Sequence, residues 1–390
     1  MNPPHEVYLD NNATTKVDPE VLKAMLPYFC EVYGNPNSLH TFGQKARKAV
    51  SDALDSIYTC LGATDDDTVL VTSNSTEGNN TVLKTILSNY ETEKGKRNEI
   101  IVTQIEHPSI SESSKYLSSH GIEVVSLPVN NEGIVDAEIL KKNIDERTAL
   151  VSCMWVDNET GLILPIKELC QIAHDHGAYF HTDATQAVGK IRTRVDEVPV
   201  DYMTFTAHKF HGPKGVGCLF IRAGRPIIPL LHGGEQMGGL RSGTIDTPSV
   251  VGLALALKKA FEYIDYENST IKKLRDKLEN ALRLIPDTTI VGKPENRVPN
   301  TILCAFKGVE GEAMLWDLNK HGIAASTGSA CASESLQANP TFQAMHMGSD
   351  LSHTGIRISL SRFNTEEEID YTIEVIKESV KRLRELSSTY

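Results

Sequence analysis

The chain has 390 residues, of which 40% are apolar and 23% charged, with a formal net charge of -12. That length exceeds what one hydrophobic core serves, so two or three domains are expected. The acidic balance offers no basic footprint for nucleic acid, and no apolar run reaches the length of a membrane-spanning helix.

The opening MNPPHEVYLD has neither the basic nor the apolar segment of a secretory signal. Asp18-Pro19-Glu20 reads as a helix start, with Asp as the cap and Pro at the first helical position. GNPNSLH (34–40) reads as a loop, followed by a helix over about 42–60. The segment 67–87 reads as strand, polar turn and helix. Strands are predicted over 99–103, 122–127, 149–153, 178–182, 202–206 and 216–221, with helices such as 166–176 between several of them. This alternation predicts an α/β domain around a mostly parallel sheet. The last two strands are joined by the short HKFHGPKG loop, too short for a parallel crossover, so that pair is expected to be antiparallel and the sheet mixed. Beyond about residue 250, Ile271, Leu274, Leu278, Leu282 and Ile285 recur at helical spacing until Pro286. A strand TILCAF (301–306) follows, and Thr365 with Glu368 forms a capping-box candidate for a final amphipathic helix. This tail predicts a smaller α+β domain, joined by the N-terminal arm.

The seven cysteines are odd in number and form no CxxC pair. That favours a reducing compartment, and a cytoplasmic location is expected. Cys153 and Cys218 sit in strand-like apolar runs. Cys331, in STGSACASES, has small polar neighbours and is expected to be accessible, as a reactive thiol must be.

Five further places invite chemistry. Lys209, in AHKFHGPKG, follows a strand and lies beside His208; a lysine fixed there suits Schiff-base chemistry, although a solvated lysine near a turn looks the same. Asp183 falls at the carboxyl end of a strand, where open α/β sheets bind ligands; it reads equally as a helix cap. SNSTEGNN offers the hydroxyls of Ser75 and Thr76 and the free N–H groups of a helix start, a phosphate cradle or simple capping. His107 follows a strand, where it can stack on a ring or serve structure. Arg357, among apolar neighbours in GIRISLSRF, can grip a carboxylate with two parallel hydrogen bonds, while Arg362 reads as a solvated or structural salt-bridging residue.

Taken together, the segments YLDNNATT, GNPNSLH, TSNSTEGNN, EHPS, NETG, HTDATQAVGK, AHKFHGPKG, RSGT, STGSACAS and IRISLSRF make the chain resemble the cysteine desulfurases of the NifS/IscS group, within the fold type I enzymes that use pyridoxal 5'-phosphate (PLP). The resemblance runs from residue 8 to 370. It implies a large PLP-binding domain (15–260) with a mixed, mostly parallel seven-stranded sheet flanked by helices. A smaller domain (1–14 and 261–390) would carry a mobile catalytic cysteine loop. It further implies that Lys209 forms the Schiff base with PLP, that His107 stacks on the ring and assists proton transfer, and that Asp183 pairs with the ring nitrogen. Gln186 and Asp157 would lie near the phenolic oxygen. Ser75, Thr76, Thr206 and His208 would hold the phosphate, joined by Thr244 from the other subunit of a homodimer. Arg357, helped by Asn158 or Asn35, would bind the carboxylate of L-cysteine. Cys331 would take up the sulfur as a persulfide, leaving alanine. No metal is expected within the monomer, beyond a transient iron–sulfur cluster on Cys331. The context of Cys331 resembles the long-loop class, which implies delivery to an iron–sulfur scaffold protein of the U type, with neither nucleic acid nor membrane as partner.

Two departures from the pattern stand out. Asp157 replaces an asparagine of the group, and a carboxylate cannot donate to a phenolic oxygen unless protonated. Ala207 stands where Ser or Gly is common, with little effect expected. Another PLP enzyme of this fold, such as a selenocysteine lyase or aminotransferase, shares Lys209 and Asp183 but has no need of Cys331. A catalytically quiet interaction protein draws support only from Asp157.

Overall fold

The computed structural model describes residues 6–92, 96–327, 340–348, 351 and 353–387. Twelve strands are present among them: β1 (Val7–Tyr8), β2 (Thr68–Thr72), β3 (Glu99–Thr103), β4 (Glu123–Leu127), β5 (Thr148–Ser152), β6 (Tyr179–Asp183), β7 (Tyr202–Thr206), β8 (Gly217–Ile221), β9 (Thr288–Ile290), β10 (Thr301–Phe306), β11 (Ile323–Ala324) and β12 (Gly355–Ser359).

Seven of them form one sheet in the order β2-β8-β7-β6-β5-β3-β4. The neighbours from β7 to β4 are parallel, and β8 runs antiparallel to both β2 and β7. The expected antiparallel pairing across HKFHGPKG is thus observed. Strands β3, β5, β7 and β8 are buried along their whole length, because helices cover both faces. This explains why they read as continuous apolar runs instead of alternating ones. One apolar cluster, including Ile101, Val151, Phe180, Phe205 and Leu257, fills one side. A second, with Leu83, Ile100, Leu150 and Leu219, fills the other.

The predicted helices form close to their expected bounds. Asp18 accepts from the Glu20 N–H ahead of helix Pro19–Met25. The long helix Thr41–Leu61 ends on Gly62 in the left-handed conformation. Thr365 and Glu368 complete a capping box for Glu366–Leu386.

A third cluster joins Val7 and Leu9 to Ile271, Leu278, Ile302, Phe306, Ile356 and Ile376. It packs helices Lys272–Arg283 and Glu366–Leu386 on an antiparallel sheet of order β12-β10-β9. The N-terminal arm reaches this region through β1, which pairs with β11 in parallel, and through Asp10, which bridges to Ser359.

Candidate active site

Five strands of the large sheet, β2, β3, β5, β6 and β7, point their carboxyl ends the same way, and the segments that follow them line one cavity of about 440 Å³. This is where an open α/β sheet leaves backbone N–H groups and side chains unpaired with neighbours. Asn74, Ser75 and Thr76 come from β2, Glu106 and His107 from β3, Asn158 from β5, Asp183 and Gln186 from β6, and His208 and Lys209 from β7. Asn12 of the N-terminal arm and Arg357 of the small sheet close the opposite wall.

Lys209 ends a short turn (Ala207–Lys209) directly after β7. Its Nζ donates to the carbonyl oxygens of Asn12 (2.6 Å) and Ala13 (2.8 Å). The arm also clamps the segment beyond the lysine: Thr15 donates to the His208 carbonyl and its hydroxyl accepts from the His211 N–H. That clamp supports His211 in the left-handed region at φ 69°, a conformation that non-glycine residues adopt rarely. The lysine is therefore held on both sides by chain remote in sequence.

Asp183 keeps a fixed orientation. Its Oδ1 accepts from the Thr185 N–H (2.9 Å) and its Oδ2 from Asn79 Nδ2 (2.7 Å). No helix follows it, so the reading as a helix cap is replaced by a turn at the strand end. His107 does cap a helix, Pro108–Ser118, with its Nδ1 accepting from the Ser109 N–H. That bond leaves the proton on Nε2, and burial holds the ring's pKa below the usual histidine value. His107 thus serves structure and cavity together. Asn79 connects the two groups, because its amide also donates to Ser109 Oγ (2.8 Å), itself 2.9 Å from His107 Nδ1.

At the β2 end, Ser75 begins helix Ser75–Thr92, and its hydroxyl lies 2.5 Å from Thr185 Oγ1. The helix start and these hydroxyls form an anion cradle. His208 contributes a ring whose pKa is pushed down to about 4 by burial and then by Lys209. Thr206 lines the cavity but donates its hydroxyl proton to the Val216 carbonyl (3.0 Å). Thr244 is not brought to the cavity of its own chain; it lies beside Ser73 and Arg241, and Arg241 is anchored to Glu77 at 2.9 Å.

Arg357, mid-strand in β12, is paired with Asp10 (3.1 Å) and Glu159 (3.0 Å) and also donates to the Asn158 carbonyl. Ser326 pairs with Arg357 through two backbone hydrogen bonds, and Thr341 lines the cavity. The chain enters and leaves the stretch containing Cys331 beside this wall; Cys331 itself lies outside the described residues. Among the other cysteines, Cys153, Cys170, Cys218 and Cys304 are buried, while Cys30 is exposed.

Two expected contributors are placed elsewhere. Asp157 does not line the cavity. It is 1% exposed, and its Oδ1 accepts from the N–H groups of Glu159 and Thr160 and from the Thr160 hydroxyl. Its carboxylate closes the NETG turn from beneath, and the next residue, Asn158, faces the cavity instead. An asparagine carbonyl would accept the same bonds, so the Asp-for-Asn exchange falls on a structural position. Asn35 is likewise absent from the lining; its Oδ1 accepts from the Asn37 N–H and shapes an exposed loop.

Sequence reasoning passed over Asn12, Asn79, Glu106, Glu159 and Lys190. All five lie within motifs quoted above or next to a named residue, and that adjacency was the available signal. Glu106 is buried, with Oε1 accepting from Thr103 Oγ1 and the Met154 N–H. Its other oxygen has no hydrogen-bond partner among the described residues. Burial raises its pKa to about 8, and that of Glu159 to about 7 against the pull of Arg357.

The donor set fits PLP: a lysine at a strand end, an oriented carboxylate across from it, a neutral imidazole and an anion cradle within one cavity. The class-V aminotransferase family matches residues 7–372. The chain is 43% identical over 383 residues to the cysteine desulfurase NifS of Azotobacter vinelandii, covering 98% of this chain and 94% of that protein. A solved NifS-like protein superposes with a TM-score of 0.91 at 39% identity, over 97% of this chain and all of that one. A structure described as SspA in complex with cysteine superposes with a TM-score of 0.81 at 27% identity, over 92% of this chain and all of that one. The chain belongs to the class-V aminotransferase family and, within it, to the NifS/IscS group of cysteine desulfurases.

Proposed function

We propose that this chain moves sulfur from L-cysteine to its own Cys331 and releases L-alanine, with Lys209, His107, Asp183 and Arg357 as the working side chains. The observation that carries this reading is the convergence of Lys209, Asp183 and His107 on one cavity that Arg357 closes. PLP, when bound, supplies an electron sink for charge developing at the substrate α-carbon. Lys209 would hold the cofactor and then, released as a free amine, take the α-proton. Asp183 would keep the ring nitrogen protonated. His107, neutral with Nε2–H, can pack on the ring and donate a proton. Arg357 would turn its fork from Asp10 and Glu159 toward the substrate carboxylate, and Asn158 stands beside it. Cys331, reached from Ser326, attacks the substrate sulfur. The substrate C–S bond breaks, an S–S bond forms on Cys331, and the carbon gains a proton to become alanine.

The finer partners follow the same reading. Leu22, Leu26, Phe29, Tyr33, Leu39 and Phe42 are all more than half or about half exposed, a large apolar surface for a monomer. A second copy covering it would make the homodimer, with Thr244 reaching the partner's phosphate site. An iron–sulfur scaffold protein would accept the persulfide sulfur. The proposed division into 15–260 and a small domain of 1–14 with 261–390 draws support from the cluster around Ile271 and Ile376, while Val291, Leu303 and Phe342 pack with the large cluster across the boundary. No helix among the described residues is long and apolar enough to cross a membrane; the cytoplasmic assignment rests on cysteine usage.

The test is to incubate the protein with L-cysteine and a reducing thiol and measure sulfide and alanine together. Equal amounts are expected, and both K209A and C331A should lose them. Parental turnover by K209A would overturn the role of Lys209, and by C331A the persulfide route.

A further inference from the structure

Directly behind Lys209 lies a second, small cavity on the seam between the large sheet and the small domain. It is lined by Lys190, Lys209, His211, Glu267, Asn300 and Arg362, among others. Lys190 is the unusual member: a lysine 6% exposed, which none of the steps above uses. Buried lysines are rare because their desolvation is costly. This one is held by the turn at Gly189, whose φ is +81° and where a Cβ would press on Ala260 and Phe210 at 2.9 and 3.0 Å.

The contacts of Lys190 run straight to the active site. Its Nζ donates to Gln186 Oε1 at 2.5 Å and to Asn12 Oδ1 at 3.1 Å. Gln186 in turn donates from Nε2 to the Asn12 carbonyl at 2.9 Å, the same oxygen that accepts from Lys209 Nζ at 2.6 Å. Lys190 therefore fixes which way the Gln186 amide faces, since only the oxygen can accept from an ammonium. It also fixes the residue that seats Lys209. Asn12 Nδ2 carries the network to Asn158 and to Thr301 of β10.

We propose that Lys190 is a positioning residue for the reaction, orienting Gln186 and Asn12 and acting as a buried cation that weakens proton binding at the nitrogen of Lys209. The inference rests on the reading of Lys209 as the Schiff-base lysine. The titratable and charged groups that face Lys190 are Lys209 and His211 from the turn after β7, Glu267 from segment Glu267–Ile271, and Arg357 and Arg362 from β12 and beyond; burial keeps the His211 ring neutral. Burial, followed by Lys209, lowers the pKa of Lys190 to about 7. The carboxyl of Glu267 is itself raised to about 7 by burial, so it counters Lys190 only in part.

The experiment uses PLP-loaded protein and follows the visible absorption of the bound cofactor from acid to alkaline pH, beside kcat and KM for L-cysteine. Lys190→Met removes the charge and the hydrogen bonds, Lys190→Gln removes the charge but keeps a hydrogen-bond donor, and Lys190→Arg keeps the charge. In both neutral variants the spectral midpoint should rise by about one pH unit, as expected for losing a nearby buried cation. Their kcat should fall roughly tenfold while KM changes little, because the proton-transfer step is affected more than binding. Lys190→Arg should restore the midpoint. A neutral variant that binds the cofactor with an unmoved midpoint overturns the inference, and Lys190→Gln serves if Lys190→Met does not fold. A visible band that K209A leaves unchanged would overturn the Schiff-base reading instead.

Discussion

The large sheet and the small sheet contribute to the cavity in different ways. The large sheet supplies Ser75, His107, Asp183 and Lys209 from segments just past or at the ends of its strands; Ser75, Asp183 and Lys209 are tied by hydrogen bonds to another segment, and His107 is tied through Ser109 to Asn79. The small sheet supplies Arg357 from the middle of β12, where register with Leu303 of β10 and with Ser326 fixes it. A loop position can be adjusted by its hydrogen-bond partners, whereas a strand position is set by pairing, and a one-residue slip would turn the side chain to the other face. The chemistry thus sits where geometry is tuned by networks. The grip on the carboxylate sits where geometry is rigid, next to the point from which the chain departs toward Cys331.

The sharpest break in this comparison is loss of the loop-borne nucleophile. Lys209→Ala is expected to lower alanine formation by roughly 10³-fold or more while leaving the melting temperature of the cofactor-free protein nearly unchanged. An activity loss smaller than tenfold would mean another group takes the α-proton.

Arg357→Lys tests the strand-borne grip. It keeps the charge beside Glu159 and Asp10 but removes the planar fork, so KM for L-cysteine should rise by about tenfold to a hundredfold, the equivalent of about 1.5–3 kcal/mol. A change confined to kcat would place Arg357 outside carboxylate binding.

Glu106 sharpens the comparison through pH. Its carboxyl ionises near 4.5 when exposed and near 8 in the fold. Between those values the native protein holds a proton that the unfolded chain has released, so native stability falls as pH rises through that window. Glu106→Gln carries no such penalty. The difference in melting temperature, variant minus parent, should therefore grow between pH 5 and pH 8 in the cofactor-free protein, by on the order of a few degrees. A constant difference would show that Glu106 is ionised in the fold.

The smallest effect is expected at Asp157. Asp157→Asn retains an oxygen for the N–H groups of Glu159 and Thr160, so turnover should stay within about twofold of the parent. Asp157→Ala should destabilise by about 1–2 kcal/mol through loss of the turn's acceptor. A large gain in activity for Asp157→Asn would return this residue to the cofactor.

Local chemistry made much of this protein legible in its sequence. Caps such as Asp18 and Thr365, the short antiparallel connection between β7 and β8, and the buried strands follow from patterns only a few residues long, because backbone geometry and solvent exclusion act over that range. Lys209, His107, Asp183 and Arg357 were also visible, as members of specific motifs. The tertiary structure alone decided which neighbour in a motif faces the cavity. It turned Asn158 inward and Asp157 beneath the turn, left Asn35 outside, and set Asn12 and Lys190 between distant segments. Those outcomes depend on contacts across 146, 178 or 197 positions of chain, and the desolvation that moves Glu106 or Lys190 exists only once those segments have closed over it.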